Sequence, residues 1–155
     1  MAILDPDDRD LVSQYLAQKL TVPVRMVVFT SNRDDPMVSG LQTGASSRQT
    51  QELVEEIAAL NDAIRLEVYD VVEHEDLAAE WKILAAPTIA FGPAADNSTP
   101  PRVRFVGYPG GHEFTSFLET LGSVGRENWG LTGETVELLS QVRKPIDLKT
   151  FVTPT

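Results

Sequence analysis

The sequence predicts an α/β domain: a four-stranded mixed sheet with helices on both faces, preceded by an N-terminal helix and followed by a helix–strand extension. Three observations carry this expectation. Apolar residues switch between helical spacing and near-continuous or every-second spacing along the chain. The first strands are separated by helical segments, but the third and fourth follow one another through a turn-rich loop, which mixes strand directions. Finally, 155 residues fit one ordinary domain together with a piece of another.

The opening segment, Leu4 to Leu20, carries a helix start. Asp5 caps, Pro6 suits the first helical position, and Asp7 and Asp8 meet the positive end of the dipole. Leu11, Val12, Tyr15, Leu16 and Leu20 form its apolar stripe. The β-rich run Pro23–Ser31 is almost uninterrupted in apolar residues and reads as a central strand. A polar stretch of about 15 residues follows, containing Pro36, Gly40 and Gly44; loops of that length are usually functional.

Helix resumes over Ser46–Asp62, with Leu53, Val54, Ile57, Ala58 and Leu60 on one side. In Ile64–Val71, Ile64, Leu66 and Val68 alternate with Arg65, Glu67 and Tyr69, the pattern of a strand. A short helix within Glu73–Ile83 turns Leu77, Ala78, Trp81 and Ile83 inward. Pro87–Gly92 and Arg102–Gly107 are strands of a long-looped hairpin across the turn-rich Pro93–Pro101. His112–Val124 is a helix burying Phe114, Phe117, Leu118 and Leu121. Another begins at a Thr132 or Gly133 cap and ends before Pro145, and Ile146–Val152 reads as a last strand.

Composition removes several functions. Without cysteine the chain offers no disulfide, thiol nucleophile, iron–sulfur ligand or cysteine-bound zinc. Two histidines, His74 and His112, argue against a histidine-rich metal site, so no metal is expected. With 13 Lys+Arg against 23 Asp+Glu the net charge is −10, which argues against a nucleic-acid surface. No basic segment precedes an apolar core at the start, and no apolar window approaches about 18 residues. A soluble, cytoplasmic protein with no membrane partner is expected.

The element order and several segments then resemble a known group. Phe105–Leu121, "FVGYPGGHEFTSFLETL", closely resembles a signature shared by two bacterial and archaeal families. These are the glutaredoxin-like protein disulfide oxidoreductases and the N-terminal domain of the flavoprotein subunit of alkyl hydroperoxide reductase. The resemblance extends over the opening helix, "PVRMVVF", "QELVEEIAALND", "AAPTIAF" and "FVTPT", in matching order. It implies a thioredoxin-like fold, tandem thioredoxin units in one polypeptide, and a part in thiol–disulfide exchange and cell redox homeostasis.

Two departures qualify what the resemblance implies. A redox-active unit would carry Cys-x-x-Cys at the head of the helix after the first strand, and the matching stretch here is Gly44, Ala45, Ser46 and Ser47. In those families, moreover, the "FVTPT"-like strand leads into the Cys-x-x-Cys of the second unit. The expectation is therefore a thioredoxin-like domain over residues 1–127 lacking the motif. Residues 128–155 would be the linker helix and first strand of a second unit, truncated before its cysteines. The chain would act as a redox-inactive scaffold and docking surface, with no cofactor of its own, for that unit or for a redox partner protein. The parent would be linked to a flavin/NAD(P)H reductase. Deprived of its sheet, the last strand would stay exposed, pair with another chain as a homodimer, or swap between molecules.

The candidate site residues each have a plain structural reading beside the functional one. The resemblance implies a cis Pro87, with Ala86 and Thr88 in a groove for an extended substrate strand; the alternative is a fold-determining turn. Tyr108, His112, Glu113 and Trp129 are interdomain candidates, although Glu113 equally suits the helix dipole and His112 a loop carbonyl. The "GASS" run suits either an anion or an N-cap at Ser46 or Ser47. Nothing such as G-x-S-x-G supports a triad from Ser46, Ser47, His112 and Asp34 or Asp35. A non-catalytic peptide- or protein-binding module is the alternative function.

Overall fold

The computed structural model describes residues 3–32, 44–95, 100–126 and 130–152. Helix α1 (Pro6–Lys19) starts where Asp5 Oδ1 accepts the Asp8 N–H at 2.8 Å, with Pro6 in the first turn. Its buried stripe is narrower than its sequence suggests: Val12 and Leu16 are covered, while Leu11 faces solvent at 64% exposure. Strand β1 (Val24–Thr30) is buried throughout except at Arg25. It is followed by α2 (Gly44–Ala59), β2 (Ile64–Asp70), α3 (Glu75–Glu80), β3 (Thr88–Pro93), β4 (Val103–Val106) and α4 (Glu113–Val124).

The sheet order is β2-β1-β3-β4. β1 and β2 are parallel, pairing Val24 with Ile64 through Thr30 with Asp70. β3 runs antiparallel to both β1 and β4. Burial on both faces explains why β1 lacks polar alternation. Met26 and Val28 point into the main core with Leu16, Leu53, Ile57, Phe91, Phe117 and Leu121, beneath α1, α2 and α4. Val27 and Phe29 point the other way, against Ala78 and Trp81 of the α3 segment. The predicted four-stranded mixed sheet with helices on both faces is therefore present.

The C-terminal extension differs in one respect. Helix α5 (Gly133–Ser140) is capped by Thr132, whose Oγ1 accepts the Thr135 N–H at 3.2 Å. None of its residues is buried. The strand expected over Ile146–Val152 is not formed: the described residues from 146 to 152 have no regular secondary structure, and Leu148 and Phe151 are each 90% exposed. A strand needs neighbouring backbone to answer its N–H and C=O groups, and among the described residues no strand of the sheet pairs with this segment.

Candidate functional site

Two predicted groups converge at one end of the sheet because β1 connects them. At its C-terminal end, the Ser31 N–H donates to Ser47 Oγ at 3.2 Å, fastening the head of α2 to the strand. Gly44 is the first residue of α2 and Ser47 the fourth, one helical turn apart and on the same side. Ser46 and Ser47 are buried inside the first turn, so neither is the N-cap that the sequence suggested. One turn further, Thr50 is wholly buried and its hydroxyl has no hydrogen-bond partner among the described residues.

On the other side of β1, Thr88 opens β3 opposite Phe29, which brings the Ala86–Pro87–Thr88 turn to the same end. The Ala86–Pro87 peptide bond is cis. The turn is held at both flanks, since Thr88 Oγ1 donates to the Ala85 carbonyl at 2.6 Å and the Gly107 N–H donates to the Pro87 carbonyl at 2.9 Å. Pro87 and Thr88 are buried and Ala86 is half-buried, with the exposed Leu84 side chain two residues before it.

The Tyr108–Glu113 turn begins beside Pro87 through the same Gly107 bond. Gly107 and Gly111 take φ values of 109° and 60°, backbone that side-chain-bearing residues rarely adopt. Tyr108 packs on the main core, with its ring over Gly110 so closely that a Cβ there would overlap it. His112 is exposed and caps α4 with no side-chain hydrogen bond; Glu113 is half-buried in the first turn. No hydrogen bond among the described residues joins His112 to Ser47. Asp34, Asp35 and Trp129 lie outside the described residues.

Three polar clusters were not foreseen, because each joins residues distant in sequence. Glu56 accepts the N–H groups of Ile3 and Leu4 at 2.8 and 3.3 Å and pairs with Arg9 at 2.6 Å, latching the N-terminus onto α2. Arg25 clamps Glu67 through two bonds of 2.7 and 2.9 Å and lies over the Trp81 ring, while the Tyr69 hydroxyl donates to the same carboxylate. Arg25 chiefly, with help from Tyr69 and against burial, holds the Glu67 carboxyl below the usual range. The Tyr69 phenol is raised, first by its bond to Glu67 and then by burial. Asp70 accepts the N–H groups of Asn32, Val72 and Glu73, closing the turn after β2; an Asp followed by a turn is its one local signal.

A hollow of about 440 Å³ beside this turn is lined by Val72, Glu73, His74, Glu75, Asp76 and Leu77. Its acidic lining does not fit the phosphates of a flavin or nicotinamide dinucleotide. Among the described residues no group of three or more His, Asp or Glu is set to hold a metal ion, and no helix is long and apolar enough to cross a membrane.

No family model matches the chain. It is 27% identical over 150 residues to the F subunit of alkyl hydroperoxide reductase in Pseudomonas putida, a match covering 96% of this chain and 24% of that protein. Among solved structures, the alkylhydroperoxide reductase AhpF of Enterococcus faecalis superposes with a TM-score of 0.72 at 24% identity, over 91% of this chain and 62% of the other. A protein disulfide oxidoreductase from Aeropyrum pernix gives 0.69 at 24% identity, over 90% and 56%. The chain thus spans about a quarter of the curated relative and under two thirds of either solved chain. It has a thioredoxin-like fold and is similar, over nearly all its length, to part of an AhpF-type alkyl hydroperoxide reductase and to part of a protein disulfide oxidoreductase.

Proposed function

We propose that this chain is the redox-inactive thioredoxin-fold half of a disulfide oxidoreductase or alkyl hydroperoxide reductase-type protein, serving as scaffold and docking surface for a CxxC-bearing unit. The observation that carries this reading is the head of α2, where Gly44 and Ser47 stand a turn apart on a cysteine-free chain. Thiol–disulfide exchange proceeds by attack of a thiolate on a disulfide sulfur, and a serine hydroxyl that accepts a backbone N–H provides no such nucleophile. The sulfur chemistry is then the other unit's, passing through a mixed disulfide with the partner.

On this reading residues 1–127 form the inactive unit, and 128–155 supply the linker helix and first strand of the next. Exposed Leu131, Val136, Leu138 and Leu139, with Ile146, Leu148 and Phe151 beyond them, support it, since they leave much of their apolar surface uncovered. Tyr108, His112, Glu113 and Trp129 would face the second unit. A flavin/NAD(P)H reductase link and a cytoplasmic setting belong to the parent protein.

The experiment compares three proteins: this chain, the parent, and the parent lacking residues 1–127. The chain alone is expected to reduce neither insulin disulfides nor a small aromatic disulfide. The shortened parent should keep small-disulfide reduction but lose about tenfold or more in kcat/KM toward its protein partner. Turnover by the chain alone, or an unchanged kcat/KM in the shortened parent, refutes the proposal. The peptide-binding alternative draws on the half-buried Ala86 beside exposed Leu84. Titrating unstructured peptides should then shift the Ala86 and Thr88 amides, and no shift eliminates it.

A further inference from the structure

The free edge of β2 has a self-complementary sequence, and we propose that it pairs antiparallel with β2 of a second copy of this chain around a two-fold axis at Leu66. β2 is an outer strand of seven residues, and no described strand lies beyond it. It contains no proline, and its middle residues Leu66–Tyr69 are half-buried, with Arg65 exposed beside them. An edge of this length and character is a template for another strand.

Among registers centred on Arg65, Leu66 or Glu67, hydrogen-bond parity and charge together select one. The Val24 N–H donates to the Ala63 carbonyl and the Val71 N–H to the Thr30 carbonyl, so odd-numbered residues of this strand turn toward β1. A parallel ladder bonds through alternate residues, which leaves the N–H and C=O groups of Leu66 and Val68 pointing outward. Antiparallel partners that exchange bonds must both point outward, so even-numbered residues must oppose even-numbered ones. Centring the two-fold on Arg65 would set Arg65 against Arg65, and centring it on Glu67 would set Glu67 against Glu67. Like charges directly opposite are unfavourable.

Centring it on Leu66 places Arg65 opposite Glu67 on both sides of the axis. On the other face, Leu66 meets Leu66 and Ile64 meets Val68. Leu66 would exchange bonds reciprocally, and each Val68 N–H would reach the Ile64 carbonyl. That pattern respects the Ile64 N–H, which already donates to Asn61. Arg65 is exposed and makes no ion pair among the described residues, so it is available to the opposing Glu67. The other edge lacks this complementarity: β4 has four residues, and its charges are the arginines Arg102 beside it and Arg104 within it.

Sedimentation equilibrium of the 155-residue chain at moderate salt, from micromolar to millimolar, is expected to reach twice its mass of 17.0 kDa. Arg65→Glu, on an exposed side chain, should weaken dimerisation roughly tenfold or more by turning both attractions into repulsions. The chain has no cysteine, so a single added thiol reports position cleanly. In Leu66→Cys the two Cα atoms would lie about 5.5 Å apart, inside the range a disulfide spans. Mild oxidation should therefore join Leu66→Cys chains faster than Val106→Cys chains on the β4 edge or Leu148→Cys chains in the C-terminal segment. A monomer at every concentration, an Arg65→Glu variant that dimerises as before, or faster joining through position 106 or 148 each overturns the proposal.

Discussion

Replacing Glu56 by alanine removes a carboxylate that serves three donors at once. Two are backbone N–H groups, of Ile3 and Leu4, and the third is the Arg9 guanidinium. Arg9 is 40% exposed, so its ion pair belongs with surface pairs and contributes at most about 1 kcal/mol. The Glu56 side chain is 9% exposed, and the two amides gain little water when it leaves. Hydrogen bonds to a charged group are worth about 1.5–3 kcal/mol each, and the low end suits the longer Leu4 bond. The expected loss is about 3 kcal/mol at neutral pH, equivalent to roughly 6–12 °C in Tm for a domain of this size.

The same contact fixes the pH dependence. Burial pushes the Glu56 carboxyl up, but the Ile3 and Leu4 amides and Arg9 outweigh it and hold it below the usual range. A depressed folded pKa gives stability that is present above the unfolded value, about 4.3, and lost as pH falls through the folded one. The gap between native chain and Glu56→Ala should therefore be full at pH 7 and narrow steadily below about pH 4.3. Thermal unfolding followed by circular dichroism at several pH values measures it. A gap under about 1 kcal/mol at pH 7, or one unchanged at pH 3, refutes the reasoning.

Gly110→Ala forces the Tyr108 ring off its seat and should cost about 1–3 kcal/mol in urea denaturation. The cost should largely vanish in a Tyr108→Ala background, and additive losses would contradict it. Arg25→Gln removes the chief influence holding the Glu67 carboxyl down, so its pKa, followed by carboxyl-carbon NMR titration, should rise. A Glu67 titration identical to that of the native chain would show that the clamp does not form in solution.

The layout of the domain was legible because its signals are local. Helical, near-continuous and alternating apolar runs, with the turn-rich Pro93–Pro101 between two of them, placed each described helix and the four paired strands, and Asp5, Pro6 and Thr132 marked two helix starts by chemistry confined to a few residues. Trp81 read correctly as core, but nothing near it in sequence pointed to Arg25 over its ring. Ile146–Val152 has strand composition yet forms none, since composition expresses a preference that only a neighbouring strand can satisfy. Leu11 belongs to the helical stripe by spacing but faces outward, because the arc that α1 buries is set by its neighbours. The site divides in the same way. The resemblance located Gly44–Ser47 and Ala86–Thr88, whereas the role of Ser47 became visible only when β1 brought Ser31 to it.

That bond bears on how the chain can change. On the reading proposed above, a return to dithiol chemistry requires cysteines at both 44 and 47. Ser47→Cys taken alone replaces an oxygen acceptor by a weakly accepting sulfur at a buried position and loosens the join between α2 and β1. It delivers no dithiol until Gly44 also changes. Each single step is neutral at best for chemistry, and one of them is harmful to the fold. The hydroxyl thus works as a ratchet: once the strand end depends on it, the shortest mutational path back to an active site runs through a less stable protein.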